Sequence, residues 1–225
     1  MSIWLAIPLG VGPCLFWLWL VSRHDNHERE PWLLIALALG LGALSTLGVL
    51  WLRPWLEEVF DPLTPIVDAF VVTALAEEAW KLAALVPLLC MNELDEPLDG
   101  IVYGAAAGLG FAGLENIFYA QQAGSVDLLL QRAFTSTLAH AACTGCLGFC
   151  WAQGKLRRLG RGTIPWLVGG LLIAVVLHGC YDLFLDGGRG RALVSLLIVL
   201  PVALLLLALK VRWARSRSPH FHPRP

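Results

Sequence analysis

Apolar side chains run in long blocks along this chain, each near the roughly 20 residues that a helix needs to cross a hydrocarbon core about 30 Å thick. Short polar or Pro/Gly-marked connections separate them, and seven blocks result: Ile3 to Val21, Pro31 to Leu52, Ile66 to Cys90, Asp99 to Ala120, Leu128 to Ala152, Ile164 to Leu185 and Ala192 to Lys210. The pattern predicts an all-α, polytopic transmembrane bundle of about seven helices. Residues 1–213 form a single transmembrane catalytic domain in this reading, and 214–225 form a basic, disordered cytoplasmic tail.

Composition agrees, with 57% hydrophobic residues and a mean hydropathy of +0.68. The first block lacks a basic leader and a small-residue cleavage site, so it reads as a retained helix rather than a signal peptide. Lys and Arg set the orientation. Arg23, Arg29, Lys155, Arg157, Arg158, Arg161, Lys210, Arg212, Arg215, Arg217 and Arg224 fall on the C-terminal side of a seven-span chain, against only Arg53, Arg189 and Arg191 opposite. The positive-inside rule then predicts the N-terminus outside and the C-terminus in the cytoplasm. The net charge of -1 adds no partner, and no nucleic-acid ligand is expected.

The six cysteines lie in or beside predicted helices, which argues against a disulfide framework. Cys143, Cys146 and Cys150 share one helix face with His140 a turn earlier, a soft-metal arrangement in outline and, more simply, a lining of small side chains at a helix contact. His24 and His27, among Asp25, Glu28 and Glu30, read as a solvated loop. GLGFAG, Gly108 to Gly113, follows no strand and reads as small-residue helix packing instead of a nucleotide loop.

Charges interrupt the third block. AEEAWK carries Glu77, Glu78 and Lys81, which together cost on the order of 8 to 10 kcal/mol in lipid. The eleven Leu, Ile, Val and Phe residues of that block return only about 3 to 7. These groups must therefore face protein or water. At about 100° per residue, with Glu77 at 0°, Lys81 falls at about 40° and Glu78 at about 100°, so the lysine sits between the carboxylates, one turn on. Such a pair is suited to proton transfer.

Three more blocks bring polar groups: Glu115 and Asn116 in FAGLEN, His140 in LAHAACTG, and His178 with Asp182, one turn apart, in LHGCYD. Taking each block's midpoint as the bilayer centre puts Glu77, Glu78 and His140 near the midplane. Glu115 and His178 fall several Å outward, and Asp182 nearer the outer surface. Two histidines and a carboxylate with a water are a familiar catalytic zinc set, and a second carboxylate then acts as general base. A proton-coupled transporter and a catalytically silent scaffold also use buried ionisable groups; the first is weakened by the lack of paired half-sequences.

At these residues the chain resembles the PrsW family of intramembrane proteases, related to the CAAX prenyl endopeptidase group. Glu77-Glu78-x-x-Lys81, Phe111-x-x-x-Glu115-Asn116, His140 and His178-x-x-x-Asp182 occur in the family's order, each on its own helix, and DNHEREPW and DEPLDGIVYGAAAGLGFAGLEN resemble further family segments. The resemblance implies cleavage of a membrane-anchored protein, in some members an anti-sigma factor, on the outer side of a bacterial plasma (inner) membrane. It also implies roles. In a metal-assisted version Glu115, His140 and His178 hold zinc, Asp182 is a fourth ligand or an orienting group, and Glu77 or Glu78 takes the proton from water. In a metal-free version Glu77 with Glu115 polarises the water, and His178 with Asp182 holds the oxyanion. Lys81 sets carboxylate charge in both.

Overall fold

The computed structural model describes residues 2–23, 30–61, 63–156 and 163–217, and among them all regular structure is helical. His24, His27, Asp25, Glu28 and the end of the tail from 218 onward lie outside the described residues. Helix α1 spans Ile3–Arg23 and α2 spans Trp32–Val59. α2 runs about two turns past the apolar block because RPWLEEV continues it as an amphipathic end, with Arg53 and Glu57 paired at 2.7 Å one turn apart. α3 is one continuous rod of Pro65–Val67, Asp68–Leu75 and Ala76–Leu89, started by the Thr64 hydroxyl accepting from the Val67 amide; its middle section is π-helical and ends immediately before the glutamate pair.

Helix α4 spans Pro97–Ala123 and opens with a reciprocal cap in which Asp99 Oδ2 accepts from the Glu96 amide at 2.7 Å. It stops at Gly124, whose φ of 62° suits a residue without Cβ. The predicted fifth block is two helices, α5 at Val126–Phe134 and α6 at Ser136–Leu156, broken at Thr135. α5 turns Leu129, Arg132 and Ala133 inward and leaves Val126, Leu130 and Phe134 exposed, so the cation in the block points into the protein and reaches Glu115 and Asn116 of α4. Trp17 Nε1 donates to the carbonyl of Ala133 at 2.9 Å, satisfying one of the acceptors that the helix end leaves open. α7 spans Thr163–Leu185, and α8 runs continuously through Arg189–Val194, Ser195–Val199 and Leu200–Arg217, four residues beyond the expected start of the tail.

Among the described residues five helices, α1, α2, α4, α7 and α8, are long and apolar enough to cross a membrane, which makes this a multi-pass membrane protein. α4 is the axis: 78% of its most apolar stretch is buried, against 17 to 28% in the other four. Small residues allow that burial. A Cβ on Gly100, Gly104 or Gly108 would lie 2.3 to 2.4 Å from the carbonyl oxygens of Gly148, Thr144 and His140, so α6 rests directly on the α4 backbone. On the other side, a Cβ on Gly110 would lie 1.9 Å from the Leu39 carbonyl of α2. The GLGFAG stretch is thus a packing device. The three grouped cysteines line helix contacts too, Cys143 with Ala142, Leu147 and Ala174, and Cys150 with Leu98, Ile101 and Phe149.

Candidate active site

Because α4 and α6 touch backbone to backbone at Gly108 and His140, the next turns of both helices project their side chains into a shared space. α3 and α7 close that space. Lys81 Nζ lies 2.8 Å from Glu78 Oε1 and 3.4 Å from Glu77 Oε2, between the two carboxylates as the helical angles predict. It also lies 3.0 Å from His140 Nδ1 and 3.9 Å from the centroid of the Phe111 ring. No water reaches it: Glu78 and Lys81 are both fully buried.

Each histidine has a carboxylate behind it. His178 Nδ1 is 3.1 Å from Glu78 Oε1, and Glu78 is held in turn by the Thr144 hydroxyl donating to Oε2 at 3.0 Å. His140 Nε2 is 3.0 Å from Glu115 Oε2. A carboxylate on one ring nitrogen fixes the tautomer and frees the other nitrogen to act as a ligand or proton acceptor. Those other nitrogens face Glu77: its Oε2 is 3.6 Å from His178 Nε2 and 3.9 Å from His140 Nδ1. The rings stand perpendicular with centroids 4.8 Å apart.

These three residues are the one cluster among the described residues whose ligand atoms converge, all lying within 4.8 Å of one another. Ligands of a tetrahedral zinc ion with bonds of about 2.0 Å stand about 3.3 Å apart, so a set spread over up to 4.8 Å holds such an ion only if it closes by up to about 1.5 Å. The converging carboxylate is Glu77, whereas the resemblance assigns that place to Glu115. Glu115 is engaged elsewhere. Its Oε2 meets Arg132 Nη2 at 2.5 Å as well as His140. Lys81 competes with an ion for His140 Nδ1, and Glu78 is the partner on which its ammonium would remain.

A cavity of about 570 Å³ leads to this cluster from the end of the bundle that carries the α2 to α3, α4 to α5 and α7 to α8 connections. Glu77, Glu115, His140, His178 and Asp182 line it, while Glu78 and Lys81 lie behind its wall. Asp182 Oδ2 is 3.2 Å from His178 Nε2 but not aligned for a hydrogen bond, and it is one of three buried polar side-chain atoms without such a partner among the described residues. The four polar helices therefore meet around one polar-lined cavity, not on separate surfaces.

Arg132 is the site residue that the sequence pattern did not single out. Its Nε donates to Asn116 Oδ1 at 2.6 Å, Asn116 donates to the Thr137 hydroxyl at 3.1 Å, and the guanidinium covers the Tyr119 ring. The available signal was a cation near the edge of an apolar block, a weaker form of the burial-cost argument that marked Lys81 in the interior of its block. Arg53 and Arg191 line the mouth, with Arg53 bridged to Asp68 at 3.3 Å.

A family model described as PrsW family intramembrane metalloprotease matches residues 30–209. The protein named Protease PrsW from Geobacillus kaustophilus (strain HTA426) is 32% identical over 177 residues, 78% of this chain and 77% of its own. The Protease PrsW of Clostridioides difficile (strain 630) is 30% identical over 185 residues, 79% of this chain and 77% of its own, and that of Bacillus subtilis (strain 168) is 28% identical over 180 residues, 80% and 82%. No solved structure matches. Since the matched span contains every helix that contributes a side chain to the chamber, the chain belongs to the PrsW family of intramembrane metalloproteases and is an enzyme that cleaves protein substrates within the membrane.

Proposed function

We propose that the protein hydrolyses a peptide bond of a membrane-anchored protein, of the anti-sigma-factor kind, close to the outer face of a bacterial plasma membrane, with zinc held by Glu77, His140 and His178. The observation that carries this is the convergence of those three residues at the inner end of a cavity open to one end of the bundle. The start of α1 lies at that same end, Ala6 packing against Ala120 and Leu129, so the charge asymmetry that puts the N-terminus outside also directs the cavity outward.

An ion in this set supplies Lewis-acid polarisation of a carbonyl and of water. The chain supplies the rest. Glu78 and Glu115 hold the two imidazoles in the tautomers that present His178 Nε2 and His140 Nδ1 to Glu77. Lys81 balances the charge of the adjacent glutamates from behind the wall. The proton of the attacking water goes to Asp182, whose Oδ2 lies 3.2 Å from His178 Nε2 without an aligned hydrogen bond, and from there to the leaving amine. Glu115 is less suited to that task because Arg132 and His140 already occupy its Oε2. This shifts the base from the glutamate pair, where the resemblance puts it, to Asp182.

The test is purified protein in liposomes with a single-span substrate, read by cleavage rate and by zinc content from elemental mass spectrometry. Glu77→Gln is expected to lose both zinc and cleavage, whereas Asp182→Asn keeps zinc and slows turnover by about 10²- to 10⁴-fold. Chelation abolishes cleavage and zinc restores it. Full activity of Glu77→Gln with native thermal stability would refute the assignment.

A further inference from the structure

A second cavity, of about 590 Å³, lies at the opposite end of the bundle from the active site, and nothing in the protease chemistry uses it. Its floor is α4, through Leu98, Ile101, Val102 and Ala105; Leu20 and Val21 of α1 form one wall, and Leu204, Leu207, Ala208 and Val211 of α8 form the other. All three helices are apolar spans, so this is a groove at membrane depth whose lining is almost wholly hydrocarbon. From Leu204 to Arg212 the groove wall runs eight residues, about 12 Å along the helix.

The exception to that apolar lining is confined to one end. Arg212 and Arg215, with Ser216, close the groove where α8 leaves the apolar stretch. Neither arginine forms an ion pair with a described residue, although other cations of the protein do: Arg53 pairs with Glu57 and Asp68, Arg132 with Glu115, and Lys81 with Glu77 and Glu78. Arg217, a half turn on, is different again, stacked over the Trp213 ring at 4.6 Å and outside the groove.

We propose that this groove binds one anionic glycerophospholipid, an acyl chain lying along α4 between α1 and α8 and the phosphate held by Arg212 and Arg215. The charge complementarity is specific to that class. An apolar slot ending in two guanidinium groups that pair with no described carboxylate, at the membrane boundary, matches a molecule with a hydrocarbon body and a negative head, and basic pockets between transmembrane helices are a recognised form of such sites. Arg suits a phosphate through its planar fork of donors. A zwitterionic lipid fills the same slot but gains less from the two cations, because its own ammonium offsets the phosphate.

The experiment is native mass spectrometry of the full chain released from detergent and titrated with phosphatidylglycerol or with phosphatidylcholine of identical acyl chains. One phosphatidylglycerol adduct per chain is expected to saturate at a concentration roughly thirtyfold lower than the phosphatidylcholine adduct, since each cation near the headgroup contributes a factor of about five. Arg212→Gln with Arg215→Gln removes that preference, and Arg217→Gln retains it. Ala208→Phe, which narrows the groove from a lipid-exposed position, weakens both lipids alike. Thermal unfolding of each variant in the same detergent checks that the bundle is intact. Equal binding of the two lipids to the native chain, an unchanged preference in the double arginine variant, or a second copy of the chain displacing lipid from the groove would overturn the proposal.

Discussion

The α4 and α6 helices form two different kinds of contact along one line. From Gly100 to Gly108 they meet through bare backbone, with Gly148, Thr144 and His140 carbonyls where side chains would otherwise be. Beyond that point, from Phe111 to Asn116, the same helices meet through polar side chains, Glu115 bonding His140 at 3.0 Å and Arg132 of α5 at 2.5 Å. In a bilayer, lipid tails are as apolar as leucine, so helices associate by close packing or by polar contacts, not by hydrophobic burial. This molecule uses the first to support the second. The packed half fixes the axis, and the polar half is left open enough to hold a cavity.

Changes that break the packed half should therefore act on stability first. A Cβ on Gly148 would lie 1.9 Å from the Gly100 carbonyl, with no flexible side chain to yield. Gly148→Val is expected to destabilise the bundle by about 3 kcal/mol or more, read as a lowered unfolding temperature in detergent, together with a loss of cleavage that follows the unfolded fraction. An unchanged melting curve would show that the two backbones do not touch.

Changes in the polar half should act on turnover first. Arg132→Ala frees Glu115 and loosens the orientation of His140, and cleavage is expected to fall about 10- to 100-fold with zinc content reduced. Arg132→Lys restores only part of this, because the lysine cannot serve Glu115 and Asn116 together. The smallest effect sharpens the boundary between the halves. Thr144 contributes its carbonyl to the packed contact and its hydroxyl to Glu78. Thr144→Val keeps the backbone contact and removes only the hydrogen bond, so a loss of about 1 kcal/mol in stability and a severalfold slower turnover are expected. Equal losses in Thr144→Val and Gly148→Val would erase the distinction.

The adjacent glutamates teach the same lesson at shorter range. The helical angles placed Lys81 between Glu77 and Glu78, and the structure agrees. Nothing in the pattern said that Glu77 opens onto the cavity while Glu78 is sealed behind it, because that depends on where α6 and α7 stand. The split of the fifth block at Thr135 was hidden for a related reason. Its polar residues, Gln131, Arg132 and Thr135 to Thr137, do not by themselves mark a break, which follows from Arg132 reaching partners on α4 that are distant in sequence.

What the sequence by itself determined is the all-helical, multi-pass character of the chain, the need for the charges in α3 to be sheltered, and the four polar motifs that belong together, because hydrophobic length and the cost of burying charge are local properties. What only the tertiary structure decided is which carboxylate converges with both histidines, which side chains line the cavity, and which cation holds Glu115. Those depend on the sub-ångström approach of helices far apart in the chain, which the glycines on α4 permit but whose outcome no periodicity encodes.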